Sequence, residues 1–476
     1  MLTLLSIFFL QFADKAGSDV VCLSPTAIEM REERNLAIDS LDYAVAPQYL
    51  DSVSRMGAKI LHTSRWMNGA TVKASNEVIS AIEQCSFVDT IYLTRIDKES
   101  DGIYSISQRK REIESLVDTS ELGTDRQINQ LNLQPLHQAG FRGKGIRIGV
   151  ADGGFYNANT LASLPQEQWL GYADLTDDKE DIFGQTGNHG SLCLTAIVAK
   201  KDVSDGTAVG TFSYSGTATD AEYFLFRTEE HATESPKEID NWVAAIEMAD
   251  SLGLHIVSTS LGYTTFDQRT FNFAYSDMDG RTSRGAQAAA IAARKGMLLV
   301  IAMGNEGNKH WHYLSTPADA DSILSVGAVN KEGTIATFSS YGPSADGRIK
   351  PEVCAVGEGT CLINPANDAV ISSNGTSFAC PLIAGMAASL WSALPEATNM
   401  EIRERIIRSC DRYDHPHEHY GYGIPNAWKA YTNTTTDWHN SLQNKQTDTY
   451  TKILYNGQLY IQHNEFRYTL LGNKIE

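Results

Sequence analysis

From residue 126 to residue 432 the chain repeats one device: a short, continuous apolar run followed by a stretch with helical spacing. IRIGVAD precedes LTAIVAK, EYFLFRT precedes IDNWVAAIEMADSLG, HIVSTSLG precedes AQAAAIAARKG, and MLLVIAMG precedes SILSVGAV. Strands that are apolar throughout, with no polar alternation, are buried on both faces, and the intervening helices supply the cover. The pattern therefore specifies an α/β fold with a doubly wound, mostly parallel sheet. In such sheets the working residues stand just beyond the carboxyl ends of strands, and those positions are the ones to inspect for chemistry.

The flanks read differently. Residues 1–95 form a small α+β unit: Phe8–Phe12 is strand-like, and Pro25–Asn35 and Pro47–Met56 have helical spacing. Ala58–Lys73 is a hairpin turned at Asn68-Gly69, Asn76 caps the helix NEVISAIEQC, and FVDTIYLTR closes the unit. Strand–helix–strand–strand–helix–strand is a ferredoxin-like order. The opening MLTLLSIFFLQF supports two readings: residues 1–12 as a degenerate signal sequence without its basic n-region, or a first strand. Residues 96–125 (KESDG, SQRKREIES) read as a charged linker open to cleavage. Residues 433–476 read as a polar linker and a short β tail around Asn456-Gly457.

Composition removes several function classes. Lys plus Arg total 39 against 58 Asp plus Glu, a net charge of −19, which argues against nucleic acid as a partner and hints at cationic substrates. The seven cysteines form no CxxC and no zinc-type cluster with histidine. Cys354 and Cys361 could close a short loop, but the preferred reading is burial as small apolar side chains. No apolar run reaches the ~18 residues of a bilayer span, so no transmembrane segment is expected.

Four residues stand where chemistry is expected. Asp152 ends IRIGVAD before Gly153-Gly154, where close backbone approach lets a carboxylate meet a partner. His189, in TGNHGSLCLTAIVA, starts an apolar helix and can present its ring to a cleft as a proton shuttle. Asn305 follows MLLVIAMG, where a side-chain amide can donate to a developing oxyanion. Ser377, in NGTS, opens a helix whose N-terminus favours negative charge. Taken singly, each has a plain structural alternative: a turn aspartate, a hydrogen-bonded histidine, a left-handed-turn asparagine, a helix-capping serine. Pro381 inside the following helix departs from simple cap-and-helix logic.

Together these segments resemble the subtilisin-like serine proteases. IRIGVADGGF resembles the aspartate motif, GNHGS the histidine motif, and Ser260-Leu261-Gly262 the substrate-binding strand. GNEGN resembles the oxyanion-asparagine motif and NGTSFACPLIAG the serine motif. FSSYGP, IKPEVCAVG and the closing YGYGIPNAWKA extend the likeness over 126–432. The chain order Asp…His…Ser is that of subtilisin. Residues 1–95 look like the family's inhibitory, chaperone-like propeptide, and TEEHATESPKEIDNWVAAIEMADSLG resembles a branch common in Bacteroidetes. The tail ILYNGQLYIQ…YTLLG looks like a C-terminal β segment of exported proteins of that phylum.

The resemblance implies a serine endopeptidase working through an acyl-enzyme. Ser377 would be nucleophile, His189 the base, Asp152 its orienter, and Asn305 with the Ser377 N–H the oxyanion hole. Ser260, Leu261 and Gly262 would pair with extended substrate, with Met303 and Gly304 lining the specificity pocket. No cofactor is required for the chemistry, and the family allows structural calcium, whose ligands the sequence does not place. The implied partners are polypeptide substrates and the chain's own N-terminal domain, and the implied location is secreted, periplasmic or cell-surface. Four positions depart from the family pattern. Ser191-Leu192 replace a Thr-His pair, and Met303 and Tyr263 replace small residues in a way expected to narrow the pocket. The rival from another class is an inactive, peptide-binding pseudoprotease. An esterase of the α/β-hydrolase type is disfavoured because no GxSxG surrounds Ser377.

Overall fold

The computed structural model describes residues 5–96, 124–177, 180–184, 187–204 and 211–433, and the backbone of strands at 450–455, 458–463 and 466–468. The 96–125 linker and the Asn456-Gly457 turn lie almost wholly outside the described residues.

The N-terminal unit runs β1 (Leu5–Phe12), α1 (Pro25–Glu33), α2 (Pro47–Arg55), β2 (Lys59–Ser64), β3 (Gly69–Ser75), α3 (Asn76–Ile82) and β4 (Val88–Ile96). Its sheet order is β2-β3-β1-β4 with every pair antiparallel, the ferredoxin-like arrangement. The FFLQF run therefore lies in one of the two central strands, and both of its faces are covered. Phe8, Leu10 and Phe12 pack in the unit's own core with Val53, Val72 and Ile82. Phe9 points the other way, into the larger core that contains Trp242 and Val243. The cap of α3 is Ser75, whose side chain accepts from the Val78 N–H, and not Asn76, which is the first helical residue.

The second part continues with α4 (Asp125–Gln130), α5 (Gln134–Gln138), β5 (Arg147–Asp152), β6 (Trp169–Asp174), α6 (His189–Val198), β7 (Lys200–Ser204), β8 (Thr211–Ser215) and β9 (Glu222–Arg227). It proceeds through α7 (Lys237–Leu252), β10 (Ile256–Thr259), α8 (Arg284–Arg294), β11 (Leu298–Ala302), β12 (Leu324–Val329) and β13 (Val353–Val356). It closes with β14 (Thr360–Ile363), β15 (Val370–Ser373), α9 (Thr376–Ala393), α10 (Asn399–Ser409) and α11 (Ala427–Thr432). Seven strands form one wholly parallel sheet in the order β13-β12-β11-β10-β5-β9-β6. Successive residues of each strand serve opposite faces. Ala151, Val257, Leu299 and Ile301 meet the layer built by α7 and α8. Ser258 meets Cys380 of α9 on the other side. The strand order turns around at β5, so Asp152 ends a strand at the point where a crevice opens.

Helix α9 is an 18-residue apolar segment. It is long and apolar enough to cross a membrane, but 89% of it is buried against the sheet, which accounts for its composition. The ends of the second part are tied together where the Ala427 N–H donates to the Leu131 carbonyl at 2.8 Å.

The N-terminal unit sits on α7 through buried charges. Asp250 accepts from Arg31 at 2.7 Å and from Arg65 at 2.6 Å. Glu247 accepts from the Ser64 hydroxyl at 2.5 Å and the Arg65 N–H at 2.8 Å. Lys295 reaches Asp42 at 2.7 Å. All seven cysteines are free, so Cys354 and Cys361 form no loop-closing bond; both are buried. Residues 431–476 form a separate unit whose strands β16 (Tyr450–Tyr455), β17 (Gln458–His463) and β18 (Phe466–Tyr468) make an antiparallel sheet.

Candidate active site

Asp152, His189, Asn305 and Ser377 are brought together at the carboxyl edge of the parallel sheet. Asp152 is fully buried at the end of β5, and its Oδ1 accepts from the Gly153 N–H at 2.7 Å. His189 opens α6 with its Nδ1 2.7 and 2.9 Å from the two Asp152 oxygens. Gly190 makes that approach feasible. A Cβ there would lie 2.5 Å from the Gly154 carbonyl oxygen and 2.8 Å from the Asp152 Cβ. The His189 side chain keeps 25% of its surface exposed, so one edge is fixed by the carboxylate while the ring still meets the cleft.

Ser377 is the second residue of α9. Gly375 is the cap, so the serine side chain is not used for capping. Its N–H belongs to the first helical turn, where N–H groups have no intrahelical acceptor. Pro381 lies four residues on and has no N–H to give to the Ser377 carbonyl. That carbonyl instead accepts from the Ser260 hydroxyl at 2.7 Å and the Cys193 thiol at 3.3 Å. The proline thus frees one carbonyl, and that carbonyl ties the serine's backbone to the segment after β10 and to the helix that carries His189. The Ser377 hydroxyl is directed at the Ser260 carbonyl at 3.5 Å.

Asn305 follows β11. Its Oδ1 accepts from the Thr376 N–H at 2.9 Å and the Thr376 hydroxyl at 3.1 Å, while the Thr376 Oγ1 accepts from the Gly304 N–H at 3.2 Å. With its oxygen held by the residue preceding Ser377, the asparagine has its amide Nδ2 left to donate elsewhere.

Cys193 is the neighbour that the sequence reading passed over. Its sulfur lies 4.0 Å from both His189 ring nitrogens, as expected for i and i+4 on one helix face. Burial pushes its thiol up to about 11, so it stays protonated and is no rival nucleophile.

The segment Ser260-Leu261-Gly262 lies beyond β10, and Tyr263 then bridges to Thr316 by N–H···O bonds of 2.8 and 3.2 Å in the two directions. Met303 and Tyr263, the two residues expected to narrow the pocket, are both buried. Met303 lies in the main core. Tyr263 also turns inward, and its hydroxyl donates to Glu229 at 2.6 Å.

Glu229, Glu234 and Glu238 bring carboxylates close enough to share a cation, and oxygen donors suit calcium. Glu238 already accepts from the N–H groups of Glu230 and Ser235, and Glu229 from the Tyr263 hydroxyl, so these carboxylates also brace the loop after β9.

A parallel sheet with a histidine–carboxylate pair and a helix-opening serine at its switch point defines a class, the α/β serine hydrolases. The family model described as "Subtilase family" matches residues 143–423, and "Peptidase S8 propeptide domain, Bacteroidota" matches residues 8–109. The chain belongs to the subtilase family and is a subtilisin-like serine protease with an N-terminal propeptide domain. It is 28% identical over 303 residues to the "Thermostable alkaline protease" of Halalkalibacterium halodurans, covering 64% of this chain and 72% of that one. It is 24% identical over 376 residues to "Serine protease AprX" of Bacillus subtilis, covering 73% and 75%. The structure of MycP1 from Mycobacterium smegmatis is similar in fold, with TM-score 0.53 and 20% identity over 70% of this chain and 91% of that one. The propeptide model runs past residue 95, into the stretch first read as linker.

Proposed function

We propose that this chain is a serine endopeptidase in which Ser377 attacks the scissile carbonyl and His189 accepts its proton and returns it to the leaving amine. Asp152 holds the tautomer of His189 and stabilises the imidazolium. The oxyanion is met by the Asn305 amide and the Ser377 N–H. The single observation that carries this reading is the paired approach of His189 Nδ1 to the buried Asp152, on the helix whose Cys193 holds the Ser377 carbonyl. Substrate adds as an extended strand along Ser260-Leu261-Gly262, with the backbone of Met303 and Gly304 opposite. All four reacting side chains are present, which leaves the inactive alternative without support.

The N-terminal domain guides folding and blocks the groove until the chain is cut within residues 96–125. The mature protease then acts outside the cytoplasm: secreted, in the periplasm or at the cell surface. The test is peptide hydrolysis by wild type and Ser377→Ala. Loss of the nucleophile should lower kcat by about 10⁶. A Ser377→Ala protein that hydrolyses peptide at the wild-type rate overturns the reading.

A further inference from the structure

The end of β4 leaves the N-terminal sheet between two loops of the protease part. Arg95 places a guanidinium nitrogen 2.5 Å from Glu230 Oε2, and Asp177 lies 3.9 Å away. One residue on, the Ile96 carbonyl accepts from the Gln268 amide at 3.5 Å. Glu230 stands just beyond β9, the sheet neighbour of β5, in which Arg227 pairs in register with Asp152. Its neighbour Glu229 packs close to Gly153, next to the Asp152 carboxylate, and accepts from Tyr263, next to Gly262. The Arg95 site is therefore at the catalytic edge of the sheet, between the Asp152 turn and the 260–262 segment.

The acid here is prearranged. Glu230 is 5% exposed, and its second oxygen accepts from the buried Lys237 at 2.6 Å, while Thr233 donates to Oε2 at 3.2 Å. Lys237 also faces Asp177 at 3.4 Å. Glu229 and Glu238 add two further buried carboxylates around it. When Arg95 departs, Glu230 and Asp177 lose one of the cations that face them, while Lys237 stays in place.

We propose that Glu230 and Asp177 form a specificity subsite that takes a Lys or Arg side chain of the polypeptide substrate, on the amino-terminal side of the scissile bond, and that Arg95 of the propeptide domain occupies it beforehand. This deepens the endopeptidase reading above and rests on it. The side follows from the direction of β4, in which Arg95 at Glu230 precedes Ile96 at Gln268, so a substrate running the same way presents its basic residue upstream. Charge-assisted pairing with a buried carboxylate separates an arginine from its neutral isostere by about ten- to a hundredfold.

The test uses the full chain as expressed and allowed to mature. Paired peptides carry arginine or citrulline, which has nearly the same shape without the charge, at successive positions upstream of one cleaved bond. A fluorophosphonate probe reports the reactive serine independently of the subsite. The expected result is a preference for arginine of about ten- to a hundredfold at one upstream position. Glu230→Gln should bring the preference close to unity, and the milder Asp177→Asn should reduce it, with probe labelling unchanged in both. Normal labelling with no arginine preference, or with a preference untouched by both substitutions, overturns the subsite and leaves the endopeptidase reading standing. Absent labelling of the folded wild type overturns the endopeptidase reading, and the subsite with it.

Discussion

Gly190→Ala is the smallest change that should separate the histidine from its carboxylate. The added methyl would sit 2.5 Å from the Gly154 oxygen, 2.7 Å from Phe155 Cε1 and 2.8 Å from Asp152 Cβ, where ordinary contact begins at 3.4 Å. Two of the three obstacles are main-chain or Cβ atoms with no rotamer to change. The start of α6 must therefore retreat by about 0.9 Å, the difference between 3.4 and 2.5 Å. The same movement stretches the Gly190 N–H bond to Gly154, now 3.1 Å, and takes His189 Nδ1 from 2.7 Å toward a separation that is no longer a hydrogen bond. Overpacking of this kind costs about 1–3 kcal/mol of stability. At about 2–4 °C per kcal/mol, Tm should fall by a few to about ten degrees. A misplacement near 1 Å costs about 10² in rate. The assay is kcat/KM on a peptide substrate at a temperature well below both melting transitions, beside a thermal melt of each protein. A Gly190→Ala enzyme that is folded and hydrolyses peptide at the wild-type rate would refute the inference that this glycine sets the Asp152–His189 distance.

Three further outcomes follow from the geometry. Asn305→Ala should lower kcat by about 10²–10³ with little change in KM; a change confined to KM would assign Asn305 to substrate binding instead. His255 and His137 are held neutral in the fold, with burial pulling them down to about 3 and about 4. Unfolded histidine takes a proton near ~6.5, so their contribution is full above that pH and is lost as pH falls toward the folded values, at up to ~1.4 kcal/mol per pH unit for each group. Urea melts at pH 7 and pH 5 should show this loss, and His255→Gln should shrink it; an unchanged pH slope in the variant contradicts the assignment. Asp250→Ala removes the carboxylate that the buried Arg31 and Arg65 share between the N-terminal unit and α7, leaving Arg31 to Asp42 and Arg65 to backbone and hydroxyl oxygens, a loss of up to about 3 kcal/mol. Amide hydrogen exchange across Leu5–Ile96 of the full chain should accelerate, and unchanged protection there would show that these charges do not hold the unit.

The parallel sheet was legible because unbroken apolar runs such as LLVIA can be satisfied only between two helical layers. The four candidate site residues stood out for a related reason: each sits where a strand ends or a buried helix begins, and the motif spacing sets their order. The same physics made β1 ambiguous. A strand that packs Phe8 into one core and Phe9 into another is as uniformly apolar as a signal segment. Helix α9 carried the matching ambiguity with a membrane span. The burial of Met303 and Tyr263 was not legible, because motif position does not say where a large side chain turns. The second role of Pro381, leaving the Ser377 carbonyl to Ser260 and Cys193, depends on which residues lie across the helix, and no local pattern contains that. Nor could the pairing of Arg95 with Glu230 be read from residues 135 positions apart.

The central claim is that Ser377 is a nucleophile activated by His189 and Asp152. The most direct measurement is mass spectrometry of the full chain, matured as expressed, after reaction with a fluorophosphonate probe. The account predicts one adduct on the peptide containing Ser377, absent from Ser377→Ala and formed far more slowly in His189→Ala. A folded wild type without an adduct, or an adduct that persists in Ser377→Ala, would contradict it.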